Sequence, residues 1–158
     1  FEVNEILERA NNELCEGNDA EMFVTTWMGI LDLQSGILTY GNAGHNPPLL
    51  RRKDGTFEYL RNKANLALAF MDGVTYQKHE IQLSKGDALY LYTDGVTEAT
   101  NADVVLYGEK RLQKKLNEVM DDSAEKRCNR ILADIDEFVG KAEQFDDITM
   151  LSVNFYGK

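Results

Sequence analysis

The chain has 158 residues, 43% of them apolar, which is enough for the core of one ordinary domain. Its 27 acidic and 17 basic residues give a net charge of −10, which argues against nucleic-acid binding and against contact with an anionic membrane. No apolar run approaches the roughly 20 residues that a membrane helix needs.

The segment from Val3 to Cys15 places Val3, Ile6, Leu7, Ala10 and Leu14 at helical spacing, with Gly17 as a stop. Met22 to Leu33 is rich in Thr, Val, Phe, Trp and Ile with apolar residues on both faces, which predicts a buried central strand. Gln34-Ser35-Gly36 turns the chain back into Ile37 to Gly41. After the turn-rich run Asn42 to Pro48, Leu49–Arg52 and Phe57–Leu60 are expected to form a second hairpin around Lys53-Asp54-Gly55-Thr56. Residues 61–75 lack periodicity and read as a surface loop. Tyr76–Leu83 and Asp87–Thr93 are predicted strands joined by Ser84-Lys85-Gly86.

Leu112, Leu116, Val119 and Met120 make one helical stripe. A second runs from Cys128 through Ile131, Leu132, Ile135, Phe138 and Val139 to a stop at Gly140, with Ser123 or Asp122 as its N-cap. The last strand is Ile148–Phe155. The order is helix, six strands, two helices and a strand, with short turns between neighbours. That pattern predicts one α+β domain over residues 1–158, a layered and mainly antiparallel β-sandwich flanked by helices.

Candidate chemistry sits at strand ends. Asp94 in Thr93-Asp94-Gly95 follows an apolar strand, with Gly95 expected to allow a sharp backbone turn. Asp146-Asp147 precedes the final strand. Each reads either as turn chemistry or as a ligand for a hard cation, since rims collect short acidic side chains. His45 reads as a hydrogen-bonded loop histidine or a general acid, and His79 as a surface residue. The basic run Lys110-Arg111 and Lys114-Lys115 reads as a solvated helix face. Cys15 and Cys128 have no Cys or His at metal-ligand spacing and are expected as buried free thiols in a reducing compartment. Neither a Gly-x-x-x-x-Gly-Lys loop nor a Gly-x-Ser-x-Gly elbow occurs, and no His stands near Thr93 or Ser84 to activate it.

Met22-Phe23-Val24-Thr25, Gly29-Ile30-Leu31-Asp32, Asn42-Ala43-Gly44-His45-Asn46-Pro47-Pro48, Gly86-Asp87, Leu91 to Ala99, Tyr107-Gly108-Glu109 and Asp146-Asp147-Ile148-Thr149 occur in that order. Together they resemble the SpoIIE-like bacterial branch of the metal-dependent (PPM, type 2C) protein serine/threonine phosphatases. The resemblance implies two Mn²⁺ or Mg²⁺ ions in the intact site. It makes Asp94 and Asp146 metal ligands that serve catalysis, and gives Asp147 a further place at the metal site. It implies hydrolysis of a phosphomonoester by metal-activated water with no phosphoenzyme. The implied substrate is a phosphorylated regulatory protein, such as an anti-sigma-factor antagonist, in the cytoplasm. The family's first metal motif, a Gly-Asp pair followed by Asp, has no counterpart here. The resemblance therefore describes an N-terminally truncated domain, expected to show little or no turnover alone and either to dimerise through exposed sheet edges or to behave poorly in solution. The alternative is a non-catalytic pseudo-phosphatase module that binds a regulatory partner.

Overall fold

The computed structural model describes residues 1–63, 65–143 and 146–157; Ala64, inside the expected loop 61–75, lies outside the described residues. Its strands form two antiparallel sheets accompanied by helices, the α+β class the sequence predicts. The chain divides into two compact units, and each has its own core.

The first unit comprises Phe1–His45 and Asn62–Leu83. Helix α1 (Val3–Cys15) opens with a capping box in which the Glu2 N–H donates to Glu5 Oε2 at 3.0 Å. It packs on the sheet β1 (Thr26–Leu31), β2 (Ile37–Ala43) and β5 (His79–Gln82), ordered β1-β2-β5. A Cβ on Gly41 would stand 2.6 Å from Leu7 Cδ1, so the glycine is what lets the helix approach β2. The buried stripe of α1 is Val3, Leu7 and Asn11, while Leu14 is 45% exposed. The stripe expected at Leu14 thus turns at Asn11, a buried amide that works for its place. Its Oδ1 accepts from the Ala69 N–H (3.0 Å) and the Tyr76 hydroxyl (3.1 Å), and its Nδ2 donates to the Met71 carbonyl at 2.9 Å.

Two expectations change here. The segment 22–33 is not a buried central strand: β1 stands at the sheet's edge and none of its residues is buried, because apolar side chains on both faces meet only one neighbouring strand. His79 is half-buried rather than a surface residue. Its ring lies 5.4 Å from Tyr40, which itself stacks on Trp27 at 5.3 Å.

The second unit comprises Asn46–Arg61 and Ser84–Tyr156. Its sheet runs β4 (Phe57–Tyr59), β3 (Leu49–Arg51), β6 (Ala88–Tyr92), β7 (Met150–Asn154). The predicted 49–60 hairpin forms, in the register Leu49↔Tyr59 and Arg51↔Phe57. Ser84-Lys85-Gly86, by contrast, makes no hairpin: β5 pairs with β2, whereas β6 pairs with β3 and β7. Helices α3 (Gly108–Glu118) and α4 (Ala124–Val139) cover this sheet, burying Leu112, Leu116, Ile131 and Ile135 against Leu49, Phe57 and Tyr90. Each fully buried aliphatic side chain contributes about 1.5–3 kcal/mol. As predicted, Ser123 caps α4, accepting from the Lys126 N–H at 3.3 Å, and Gly140 ends it at φ +62°.

Charged side chains set the helices on the sheet. Arg127, 1% exposed, donates to Ser152 Oγ (2.6 Å), Asn154 Oδ1 (2.9 Å) and the carbonyls of Met120 and Asp122 (3.0 Å each). Arg51 reaches the same Met120 carbonyl from β3, so two guanidinium groups hold the α3–α4 turn. The basic run on α3 is not simply a solvated face. Arg111 lies over Phe138 at 4.6 Å and bonds Asp134 Oδ2 at 3.0 Å, and Lys115 Nζ stands 3.3 Å from Asp134 Oδ1. Burial pushes the Asp134 carboxyl up, but hydrogen bonds from Arg111, Tyr107 and Lys115 outweigh it and hold the group below the ordinary carboxylate value. Cys15 and Cys128 are free thiols, half-buried rather than buried, and burial pushes the Cys128 thiol up.

Candidate metal centre

The three candidate aspartates all lie in the second unit, where one pair of strands controls them. Strands β6 and β7 are antiparallel with Tyr92 opposite Met150. The pairing continues one step past the named strands. The Thr93 N–H donates to the Thr149 carbonyl (3.0 Å), and the Thr149 N–H returns to Thr93 Oγ1 (3.0 Å). The same hydroxyl donates to the Asp147 carbonyl at 3.0 Å. Thr93 therefore ties the end of β6 to the chain entering β7, with Asp94 and Asp146–Asp147 next in line on the two sides.

Beyond Thr93 the chain does not turn loosely. Asp94 opens a one-turn helix, α2 (Asp94–Thr97), where the sequence reading expected only a sharp turn. The Val96 N–H closes onto the Thr93 carbonyl (3.0 Å), the Glu98 N–H onto the Asp94 carbonyl (2.8 Å), and Val96 is fully buried. The glycine also has another role than expected. Gly95 is not among the residues of positive φ; instead, a Cβ there would lie 2.5 Å from the Asp147 carbonyl oxygen. Only glycine lets α2 touch the backbone of Asp146–Asp147.

The side chains on this junction are open. Asp94, Asp146 and Asp147 are all exposed. Asp94 Oδ1 accepts from the Gly95 N–H at 3.1 Å, and Asp146 Oδ1 accepts from the Asp147 N–H at 2.7 Å. The structure thus brings together the segments of Asp94 and of Asp146–Asp147. His45 belongs to the first unit. There the Asn42 side chain brackets its backbone (2.8 and 2.9 Å), and its Nδ1 stands 3.3 Å from Thr25 Oγ1, the hydrogen-bonded loop reading.

Among the described residues no three His, Cys, Asp or Glu side chains are grouped as a metal cage. Two aspartates still fit Mg²⁺ or Mn²⁺ chemically: such ions take hard oxygen donors, and Mg²⁺ is commonly held by one or two carboxylates, with waters and phosphate oxygens completing its shell. Sequence reasoning missed Glu98, Asp136 and Glu143, which share a cleft with Gly95 and Asp146. The four-residue step from Asp94 to Glu98, one turn of helix, was a signal for Glu98 alone.

The model of the SpoIIE family (stage II sporulation protein E) matches residues 1–156. The chain is 33% identical over 141 residues to Protein IcfG of Synechocystis sp. (87% of this chain, 22% of that protein). It is 30% identical over 152 residues to Phosphoserine phosphatase RsbU of Bacillus subtilis (94% and 44%). It therefore spans less than half the length of these relatives. Among solved structures, the SiaA-PP2C domain of Pseudomonas aeruginosa superposes with a TM-score of 0.85 at 21% identity, over 98% of this chain and 61% of that one, which establishes the shared fold.

Proposed function

The chain belongs to the SpoIIE family of PPM-type phosphatases, and from that premise we propose that residues 1–158 function within one metal-dependent protein serine/threonine phosphatase domain. The substrate of this reading is a phosphoserine or phosphothreonine on a regulatory protein, such as an anti-sigma-factor antagonist, in the cytoplasm. PPM phosphatases are metal-dependent, and here Asp94 and Asp146 would hold Mn²⁺ or Mg²⁺, with Asp147 at the same centre. When bound, such ions supply charge neutralisation at the phosphoryl oxygens and a water of lowered pKa.

The observation that carries this reading is the backbone contact of Gly95 with Asp147, which seats the two acidic segments side by side. The chain's own residues then have distinct tasks. Thr93 fixes the spacing of the two segments through three hydrogen bonds. Asp94 and Asp146 each accept from the next backbone N–H with one carboxylate oxygen, which restrains the side chain at its base.

The test is Mn²⁺-dependent hydrolysis of an aryl phosphate by this chain and by a longer version extended at the N-terminus, each beside its Asp94→Asn variant. Hydrolysis lost with Asp94→Asn supports the reading. Wild-type turnover by Asp94→Asn at saturating Mn²⁺ rejects the site, and hydrolysis by neither protein favours the non-catalytic interaction module.

A homodimer is part of the same reading. Among the described residues β1 is a sheet edge, with Ile30 45%, Phe23 59% and Met22 68% exposed around it. Sedimentation of a monomer at high concentration would count against it.

A further inference from the structure

We infer that the cleft beside Asp146 is a docking groove for a lysine or arginine of the phosphoprotein substrate, close in sequence to the phosphorylated residue; this rests on the phosphatase reading above. The cleft has a volume of about 210 Å³ and lies wholly within the second unit. Ile135 and Val139 of α4, together with Ile148 and Leu106, give it an apolar lining. Glu98, Asp136, Glu143 and Asp146 supply its charge, and among the described residues no Lys, Arg or His lines it.

Three of those carboxylates have no cation beside them among the described residues. Elsewhere in this unit Asp87, Asp121, Asp122 and Asp134 each pair with an arginine. Among the described residues Glu98, Asp136 and Glu143 form no ion pair, and all three are exposed. Apolar walls under uncompensated carboxylates attract a side chain with a long aliphatic stem and a cationic head, the description of Lys and Arg. An acidic occupant would be repelled, and a purely apolar one would desolvate the carboxylates for no return. Asp146 belongs to both the groove and the candidate metal centre, so a residue docked here lies next to the phosphate to be cleaved.

A second feature extends the groove outward. Val104, Val105 and Leu106 are 82%, 52% and 57% exposed. Their loop is pinned by Asn101 Oδ1, which accepts from the N–H groups of Asp103 (3.1 Å) and Val105 (3.0 Å). Val104 is held at φ +62°, a costly conformation for a β-branched residue. A fixed apolar shoulder beside an acidic cleft suits a peptide that lays its backbone over the first and its basic side chain into the second.

The test uses labelled phosphoserine peptides in Mn²⁺, with Lys or Gln scanned through the flanking positions, titrated onto the 158-residue chain. Aryl phosphate hydrolysis is followed in parallel. The Lys peptide should bind about five- to tenfold more tightly than its Gln twin at one flanking position. High salt and the double change Asp136→Asn, Glu143→Gln should remove that preference and leave aryl phosphate turnover unaltered. Equal affinity of Lys and Gln peptides alongside active aryl phosphate hydrolysis overturns the groove and spares the phosphatase reading. Lys preference with no hydrolysis by this chain or by its N-terminally extended version supports the groove and rejects that reading, and equal affinity overturns the groove whether or not hydrolysis is seen. Lys preference that survives the double change places the basic residue elsewhere and overturns the proposal.

Discussion

Asp87 and Asp94 flank the same five-residue strand, yet the first is 2% exposed and the second stands open to solvent. Asp87 accepts from the Lys53 N–H (2.9 Å), the Ser84 N–H (3.0 Å) and Arg52 Nη1 (2.7 Å). Its lone pairs are spent on closing two turns around the start of β6. Asp94 accepts from Gly95 within its own turn, on a backbone fixed by Val96 and Thr93. Both occupy Gly/Asp punctuation beside a strand, so the motif alone cannot distinguish them. The partners do: a carboxylate whose acceptor sites are filled by protein is structural, and one left outward on a rigid base is available to a cation.

Asp94→Asn should break the contrast most severely. In a protein that hydrolyses an aryl phosphate, turnover should fall by about 100-fold or more, while the unfolding midpoint stays put to within about 0.5 kcal/mol. A parallel loss of stability would mean that Asp94 is structural after all. Asp87→Ala should do the reverse, costing about 1–2 kcal/mol in urea unfolding because two part-buried N–H groups lose their buried acceptor, a figure reduced by the half-exposed Arg52. Gly95→Ala should damage both properties, since its Cβ would press into the Asp147 carbonyl. A loss of about 1–3 kcal/mol is expected together with reduced Mn²⁺ affinity by calorimetry.

The smallest effect is on pH dependence. In Asp87, as in Asp134, burial pushes the carboxyl up but hydrogen bonds and arginine outweigh it, so the folded value lies below the ordinary one. Depressed acids stabilise the fold fully above the unfolded value, about pH 4, and that contribution drains away as pH falls below it. Urea midpoints should hold steady down to about pH 4 and then decline. Asp87→Asn and Asp134→Asn should each flatten the decline; an unchanged acid limb would refute the role given to these carboxylates.

Local patterns were legible in the sequence. The 49–60 hairpin carries strand formers around Asp54-Gly55, and α4 carries a Ser123 cap and a Gly140 stop, so local chemistry fixes both. The positions of Asp94 and Asp146 at strand ends could be read in the same way. Partner choice between strands could not. Residues 76–93 read as two strands about a short turn, and nothing in that turn tells that β5 joins β2 while β6 joins β3. Long-range polar anchors were hidden for a similar reason. Asn11 interrupts an apolar stripe, and its meaning appears only when residues 69–76 arrive to meet it. Arg127 looks like an exposed helix charge until Ser152, Asn154 and the α3–α4 turn surround it. Gly95 was singled out correctly but for backbone freedom, when close approach is what demands it.

The clasp made by Thr93 has a consequence for how this chain tolerates change. Its hydroxyl and backbone join the end of β6 to residues 147–149, closing the base of everything between Gly95 and Asp146. The spacing of the two acidic segments is therefore set at that base, as the span of a hairpin is set by its legs rather than by its bow. Lengthening the exposed loop at residues 101–105 should leave the acidic pair in place, whereas Thr93→Val, which keeps the shape but strips the hydroxyl, would let the base open.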